Sequence, residues 1–180
     1  MAVERGFVKA DERLRSSVEH IFVAGDANGR DMLVRGANFE AEIAAENAVR
    51  GSKLVFDRRS LPSGGFTDPD HAGVGYTESQ ARDAGLDCVV SVAHYADLER
   101  AIIDGRTPGF LKLIAERESG RIIGAHGTGE NAVEVMQAVA TAMAANATAE
   151  TLAGVRFAYP TYTAIIGEAA RKLEGQRSRP

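Results

Sequence analysis

Asp26 is the residue whose type and position most directly suggest chemistry. Residues 21–24, Ile-Phe-Val-Ala, form a short apolar run that reads as a buried parallel strand. Gly25 and Asp26 then place a small residue and a carboxylate at its carboxyl end. In open α/β sheets ligands bind outside those strand ends, beside helix N-termini. A carboxylate there accepts hydrogen bonds from sugar or polyol hydroxyls. The loop Asn28-Gly29-Arg30-Asp31 leads to a helix expected to begin near Met32. Its first N–H groups lack intrahelical partners and can meet an anion or an electron-rich ring edge. A carboxylate in this place can equally cap the next turn, and the residues alone leave both readings open.

Other groups carry less. Gly127-Thr-Gly129-Glu-Asn-Ala132 matches G-x-G-x-x-A between an expected strand and an expected helix, the local form of a dinucleotide fingerprint. The next plausible strand, residues 155–158, ends at Tyr159-Pro160 without an acid for a ribose, which argues for a packing role instead. Asp68, Asp70 and His71 are too few and too local to specify a metal, so no metal site is expected. Cys88 lies in an apolar run and reads as buried and inert.

The elements that must position these residues follow from pattern. Residues 7–11 and 21–24 read as strands joined by a polar segment, 12–19. A helix is expected from about 33 to 50, with Phe39, Ile43, Ala44 and Ala48 on one face and Gly51 just past its end. Residues 57–65 are polar, bear Gly and Pro, and read as a linker. Beyond it, strands are expected at 72–76, 88–93, 110–115 and 121–126, the last two joined by a turn closing at Gly120. Helices are expected at 77–84, capped by Thr77 or Glu78, and at 132–145, 148–152 and 163–173. An antiparallel sheet backed by helices, an α+β architecture, is the expected outcome.

With 180 residues the chain has room for one domain, or one and part of another. The formal net charge of −4 and the lack of a Lys/Arg cluster give no footprint for nucleic acid. No apolar run approaches the roughly 20 residues that span a membrane, and the first residues lack the apolar core of a secretion signal. The single cysteine rules out an intrachain disulfide framework and suits a reducing, cytoplasmic setting.

Residues 21–34, followed by Phe66-Thr-Asp-Pro-Asp-His-Ala-Gly-Val-Gly-Tyr-Thr-Glu78, resemble the C-terminal part of the pyridine nucleotide-disulfide oxidoreductases. That family includes dihydrolipoamide dehydrogenase, glutathione reductase and mercuric reductase. The likeness runs from about Gly6 to Leu173. It implies a C-terminal piece of an FAD-binding domain at 1–56, a linker at 57–65 and a dimerisation domain at 66–175. By the same resemblance Gly25 and Asp26 hold the ribityl chain of FAD, and the backbone of Met32, Leu33 and Val34 lies by the flavin pyrimidine edge. Val34-Arg35 departs from the family's Ala-His at that place.

The family's redox pair, C-x4-C, and its Gly-rich N-terminal fingerprint are missing, so the chain is expected to be a fragment that is inactive alone. The parent is expected to be an FAD- and NAD(P)-dependent oxidoreductase, with NAD(P) not bound by this chain and FAD bound weakly or not at all. Tyr159-Pro160-Thr161 matches the family's His-Pro-Thr, and Ala164 falls where its Glu stands. That His, from the partner subunit of a homodimer, is the acid/base for the reacting thiols, which makes Tyr159 the candidate catalytic residue. A tyrosine base at neutral pH costs on the order of 4 kcal/mol relative to its ordinary titration. The dyad's replacement leaves a dithiol, a quinone or a second nicotinamide as acceptor. The alternative is a non-catalytic homodimerisation module.

Overall fold

The protein is described by a computed structural model over residues 1–177. It comprises two compact units, Met1–Leu61 and a second from Pro62 onward.

In the first unit β1 (Val3–Glu4) and β2 (Phe7–Val8) pair antiparallel around Arg5 and Gly6, whose φ angles of 53° and 88° suit a two-residue hairpin turn. Residues 21–24 do not form the expected parallel strand. They are extended, with only an isolated antiparallel bridge between Arg15 and Phe22. The backbone explains this. Val23 N–H donates to Leu14 at 2.8 Å and Ser16 N–H to Ile21 at 2.9 Å. Asp11 takes the N–H groups of Arg13 and Arg15, so the facing chain curls away before a ladder develops. Leu14, inside the stretch expected to be a polar connection, is fully buried.

A 3-10 turn, Gly25–Asn28, ends at Gly29 in the left-handed region, and α1 (Val34–Arg50) follows. Its buried face is Gly36, Glu40, Ile43, Ala44 and Asn47. Ala48, expected inside, is exposed. Asn47 is turned inward instead, because its side chain bonds the Arg13 carbonyl at 3.0 Å and both backbone groups of Leu54 at 2.9 Å. Leu14, Ile43 and Ala44 form a small core with Phe22, Phe39 and Phe56 against it.

The second unit is built on a five-stranded antiparallel sheet in the order β3 (Ser63–Gly65), β4 (Asp70–Gly75), β7 (Ile122–Gly129), β6 (Phe110–Glu116), β5 (Cys88–His94). The α+β architecture is as expected. Part of the expected linker is edge strand β3, whose Gly64 faces Ala72 of β4. Alternation along β6 divides the core. Leu111, Leu113 and Ala115 join Val135 and Val139 of α4 (Ala132–Ala144), Leu152 of α5 (Ala149–Gly154) and Ile165, Ile166 and Leu173 of α6 (Ala164–Arg177). Ile114 points the other way, with Ile123 and with Ala81 of α2 (Glu78–Asp83). Thr77 caps α2 in a capping box with Gln80. Ser91 of β5 donates to the Ala169 carbonyl at 2.7 Å, fixing α6 on the sheet.

Residues 155–158 are not a strand: Val155 N–H closes the end of α5, and the Ala158 carbonyl accepts from Thr161 Oγ1 at 2.7 Å. A helix not foreseen in the sequence, α3 (Glu99–Asp104), follows β5.

Candidate functional site

The first unit brings Gly25 and Asp26 beside the start of α1. Gly25 has φ 70°, and a Cβ there would lie 3.2 Å from the Ala37 Cβ in the first turn of that helix. Asp26 is exposed in the first turn of the 3-10 segment, and its carboxylate makes no hydrogen bond or ion pair within the described residues. Met32, Leu33 and Val34 are exposed as well. Leu33 occupies the N-cap position without a side-chain cap, so the first N–H groups of α1 have no capping oxygen. A 17-residue helix ending this way favours negative charge at its N-terminus by roughly 0.3–1 kcal/mol. Free carboxylate, uncapped helix start and exposed apolar side chains fit a polyhydroxylated ligand with an electron-rich ring.

Glu40 was not singled out in the sequence, because helix-pattern reading places glutamates outside. It is completely buried, and its Oε2 accepts from Gly25 N–H at 2.6 Å and from Asn28 Nδ2 at 2.7 Å. Its Oε1 is buried without a partner, a cost of about 1–3 kcal/mol for such an acceptor. Asp31, also buried, lies where a Gly36 Cβ would stand and meets Arg58 at 3.4 Å.

The second unit carries Tyr159. Its ring is 76% exposed on the loop between α5 and α6. Tyr159 therefore does not brace the loop; Tyr162, three residues on, does. Tyr162 is buried, stacks near Tyr95 at 5.9 Å and donates its hydroxyl to Asp104 Oδ2 at 2.8 Å. Burial, then the Asp104 carboxylate, pushes the Tyr162 phenol up to about 12. The same hydrogen bond, with Arg100 at 2.7 Å, holds the Asp104 carboxyl below the usual range. Burial also raises Tyr95 strongly. Ala164 opens α6 and offers no carboxylate.

The G-x-G-x-x-A segment is occupied by the protein itself. Gly129 has φ 152°, and a Cβ there would run into the Tyr95 ring; one on Gly127 would meet the Phe110 carbonyl at 2.5 Å. Tyr95, not a phosphate, fills the space the glycine leaves. Asp68 pairs with Arg106, which also binds Glu130 at 2.6 Å, while His71 Nδ1 lies 3.2 Å from Thr67 Oγ1. Among the described residues no group of three His, Cys, Asp or Glu is arranged to hold a metal ion. No helix among them is long and apolar enough to cross a membrane.

These features define an α+β protein with a carboxylate turn at an uncapped helix in one unit and a tyrosine-bearing loop in the other. Residues 61–170 match the pyridine nucleotide-disulphide oxidoreductase dimerisation domain. The chain is 36% identical to dihydrolipoyl dehydrogenase of Haloferax volcanii, over 97% of this chain and 37% of that protein. It is 39% identical to dihydrolipoyl dehydrogenase of Geobacillus stearothermophilus, over 95% and 36% respectively. Among solved structures, LpdA of Mycobacterium tuberculosis superposes with a TM-score of 0.82 at 26% identity, over 93% of this chain and 36% of that one. The HOCl-induced flavoprotein disulfide reductase RclA of Escherichia coli gives 0.82 at 26%, over 95% and 40%. The chain belongs to the pyridine nucleotide-disulphide oxidoreductase family. It spans a little over a third of the length of the relatives it matches.

Proposed function

We propose that this chain is the C-terminal part of an FAD- and NAD(P)-dependent oxidoreductase, in which it supplies one wall of the flavin site and the dimer interface. The observation that carries the reading is the Asp26 carboxylate, exposed and unpaired on a turn packed against the uncapped start of α1. Asp26 accepts hydrogen bonds from the ribityl hydroxyls of FAD, with Gly25 allowing the backbone turn. The Val34, Arg35 and Gly36 N–H groups face the flavin's electron-rich edge, with Met32 and Leu33 covering it. When bound, the flavin supplies hydride acceptance from the nicotinamide, which this chain does not itself bind.

Tyr159 stands in the place of the acid/base His and acts as a neutral hydrogen-bond donor toward the acceptor from the partner subunit of a homodimer. With Ala164 in place of the Glu, the residues favour an acceptor that needs no thiol base, a quinone or a second nicotinamide, over a dithiol. Titrating the purified chain with FAD, followed by flavin fluorescence and the visible spectrum, tests the first part. Whatever saturable binding the chain shows is expected to be weak and to be abolished by Asp26→Ala; equal binding by wild type and variant would overturn the assignment. For the interface, light scattering at high micromolar concentration is expected to give a dimer, and a monomer would count against it.

A further inference from the structure

We infer that Glu40 is a positioning residue for the flavin site, fixing the Asp26 turn to α1 through one carboxylate oxygen. The inference rests on the flavin reading of Asp26. Glu40 lies in the second turn of α1, fifteen residues from Gly25, and is the only side chain bonded to both ends of the 3-10 turn among the described residues. Gly25 N–H and Asn28 Nδ2 converge on the same Oε2 at 2.6 and 2.7 Å. Asn28 Nδ2 also reaches the Val23 carbonyl at 3.4 Å, and its Oδ1 accepts from Arg30 N–H at 2.9 Å. The segments before and after the turn are therefore tied to one point on the helix.

That arrangement has a directional consequence. Asp26 lies between the two bonded residues, its carbonyl accepts from Gly29 N–H at 3.1 Å and its carboxylate has no partner, so the orientation of that carboxylate is inherited from the turn. The helix that presents the free N–H groups is the one that carries Glu40. Carboxylate and helix start are thereby held in one frame, which is what two-point recognition of a single ligand requires. A purely structural acceptor would need neither the shared oxygen nor its connection to both ends of an otherwise exposed turn. Converging two donors on a single oxygen while Oε1 stays unpartnered indicates that the geometry is set by the turn and not by satisfying the carboxylate.

The test compares wild type, Glu40→Gln, Glu40→Ala, Asn28→Ala and Asp26→Ala, reading the Gly25 amide by NMR and FAD affinity by fluorescence. Gln keeps an acceptor oxygen, and Ala leaves Gly25 N–H without one and the Asn28 amide with only the Val23 carbonyl at 3.4 Å. In wild type and Glu40→Gln the Gly25 amide proton is expected far downfield and slow to exchange. Glu40→Ala moves it to an ordinary position and speeds its exchange by roughly tenfold or more, while helix content is retained. FAD affinity falls at least about tenfold in Glu40→Ala, less in Asn28→Ala, and stays within about threefold in Glu40→Gln. If Glu40→Ala leaves the Gly25 amide unchanged, or binds FAD as wild type does while Asp26→Ala does not, the inference is wrong. Should wild type bind no FAD, as expected of a chain that spans a little over a third of its relatives' length, the Gly25 amide alone decides whether Glu40 sets the turn.

Discussion

Replacing Gly129 by Ala probes the claim that the glycine-rich segment is a packing device. Gly129 ends β7 with φ 152°, a region that residues with a Cβ rarely enter, and such strain costs on the order of 1–3 kcal/mol. The added methyl is also driven into the Tyr95 ring. That ring is 1% exposed, is backed by Tyr162 at 5.9 Å, and lies 3.0 Å from a Cβ built on Gly109, so it has nowhere to retreat. Overpacking of this kind adds about 1–3 kcal/mol. Gly129→Ala is therefore expected to destabilise the protein by roughly 2–6 kcal/mol in urea denaturation followed by circular dichroism. In a Tyr95→Leu background the clash is relieved and only the backbone strain, about 1–3 kcal/mol, should remain. Addition of NADH should stabilise neither protein. A Gly129→Ala variant within about 0.5 kcal/mol of wild type, or NADH protection lost on the substitution, would refute the packing argument.

Three further outcomes follow from the described contacts. Tyr162→Phe removes the main cause of the lowered Asp104 carboxyl. A carboxyl lowered in the folded state stabilises above its unfolded value and loses that contribution as pH falls through the folded one. The gap between wild type and Tyr162→Phe in urea midpoint should thus be full at pH 7 and shrink on acidification below the ordinary carboxylate range; a pH-independent gap would contradict this. Ser91→Ala deletes the buried bond to the Ala169 carbonyl, which keeps its partner within α6, and should cost about 1 kcal/mol in the same denaturation assay. Thr77→Ala removes the hydroxyl that accepts from Gln80 N–H and keeps the reciprocal bond from its own N–H to Gln80 Oε1, with an expected loss of about 1 kcal/mol.

What could be read from the sequence depended on whether the signal was local. Strands β4 to β7 and helices α1, α2, α4, α5 and α6 announce themselves by periodicity and by caps such as Thr77 and Gly51. Residues 21–24 and 155–158 carry the same apolar signal, but their backbone groups are claimed by neighbouring turns. Propensity does not register that competition. Edge strand β3, Ser-Gly-Gly, exists only because β4 offers it a ladder. Asp26 could be singled out because a carboxylate directly after an apolar run is a local signal. Glu40 was not, since a buried glutamate is identified by its partners Gly25 and Asn28, fifteen and twelve positions away. Tyr159 and Tyr162 look alike in sequence, and only the Asp104 contact separates the exposed ring from the brace.

The most direct test of the flavin reading is to map FAD on the isotopically labelled chain by amide chemical-shift perturbation. Saturable changes confined to Gly25, Asp26 and the N–H groups of Val34, Arg35 and Gly36, and lost in Asp26→Ala, are the predicted result. Saturable changes centred on Gly127 to Ala132 that spare the Asp26 turn, or changes at that turn that persist in Asp26→Ala, would contradict it.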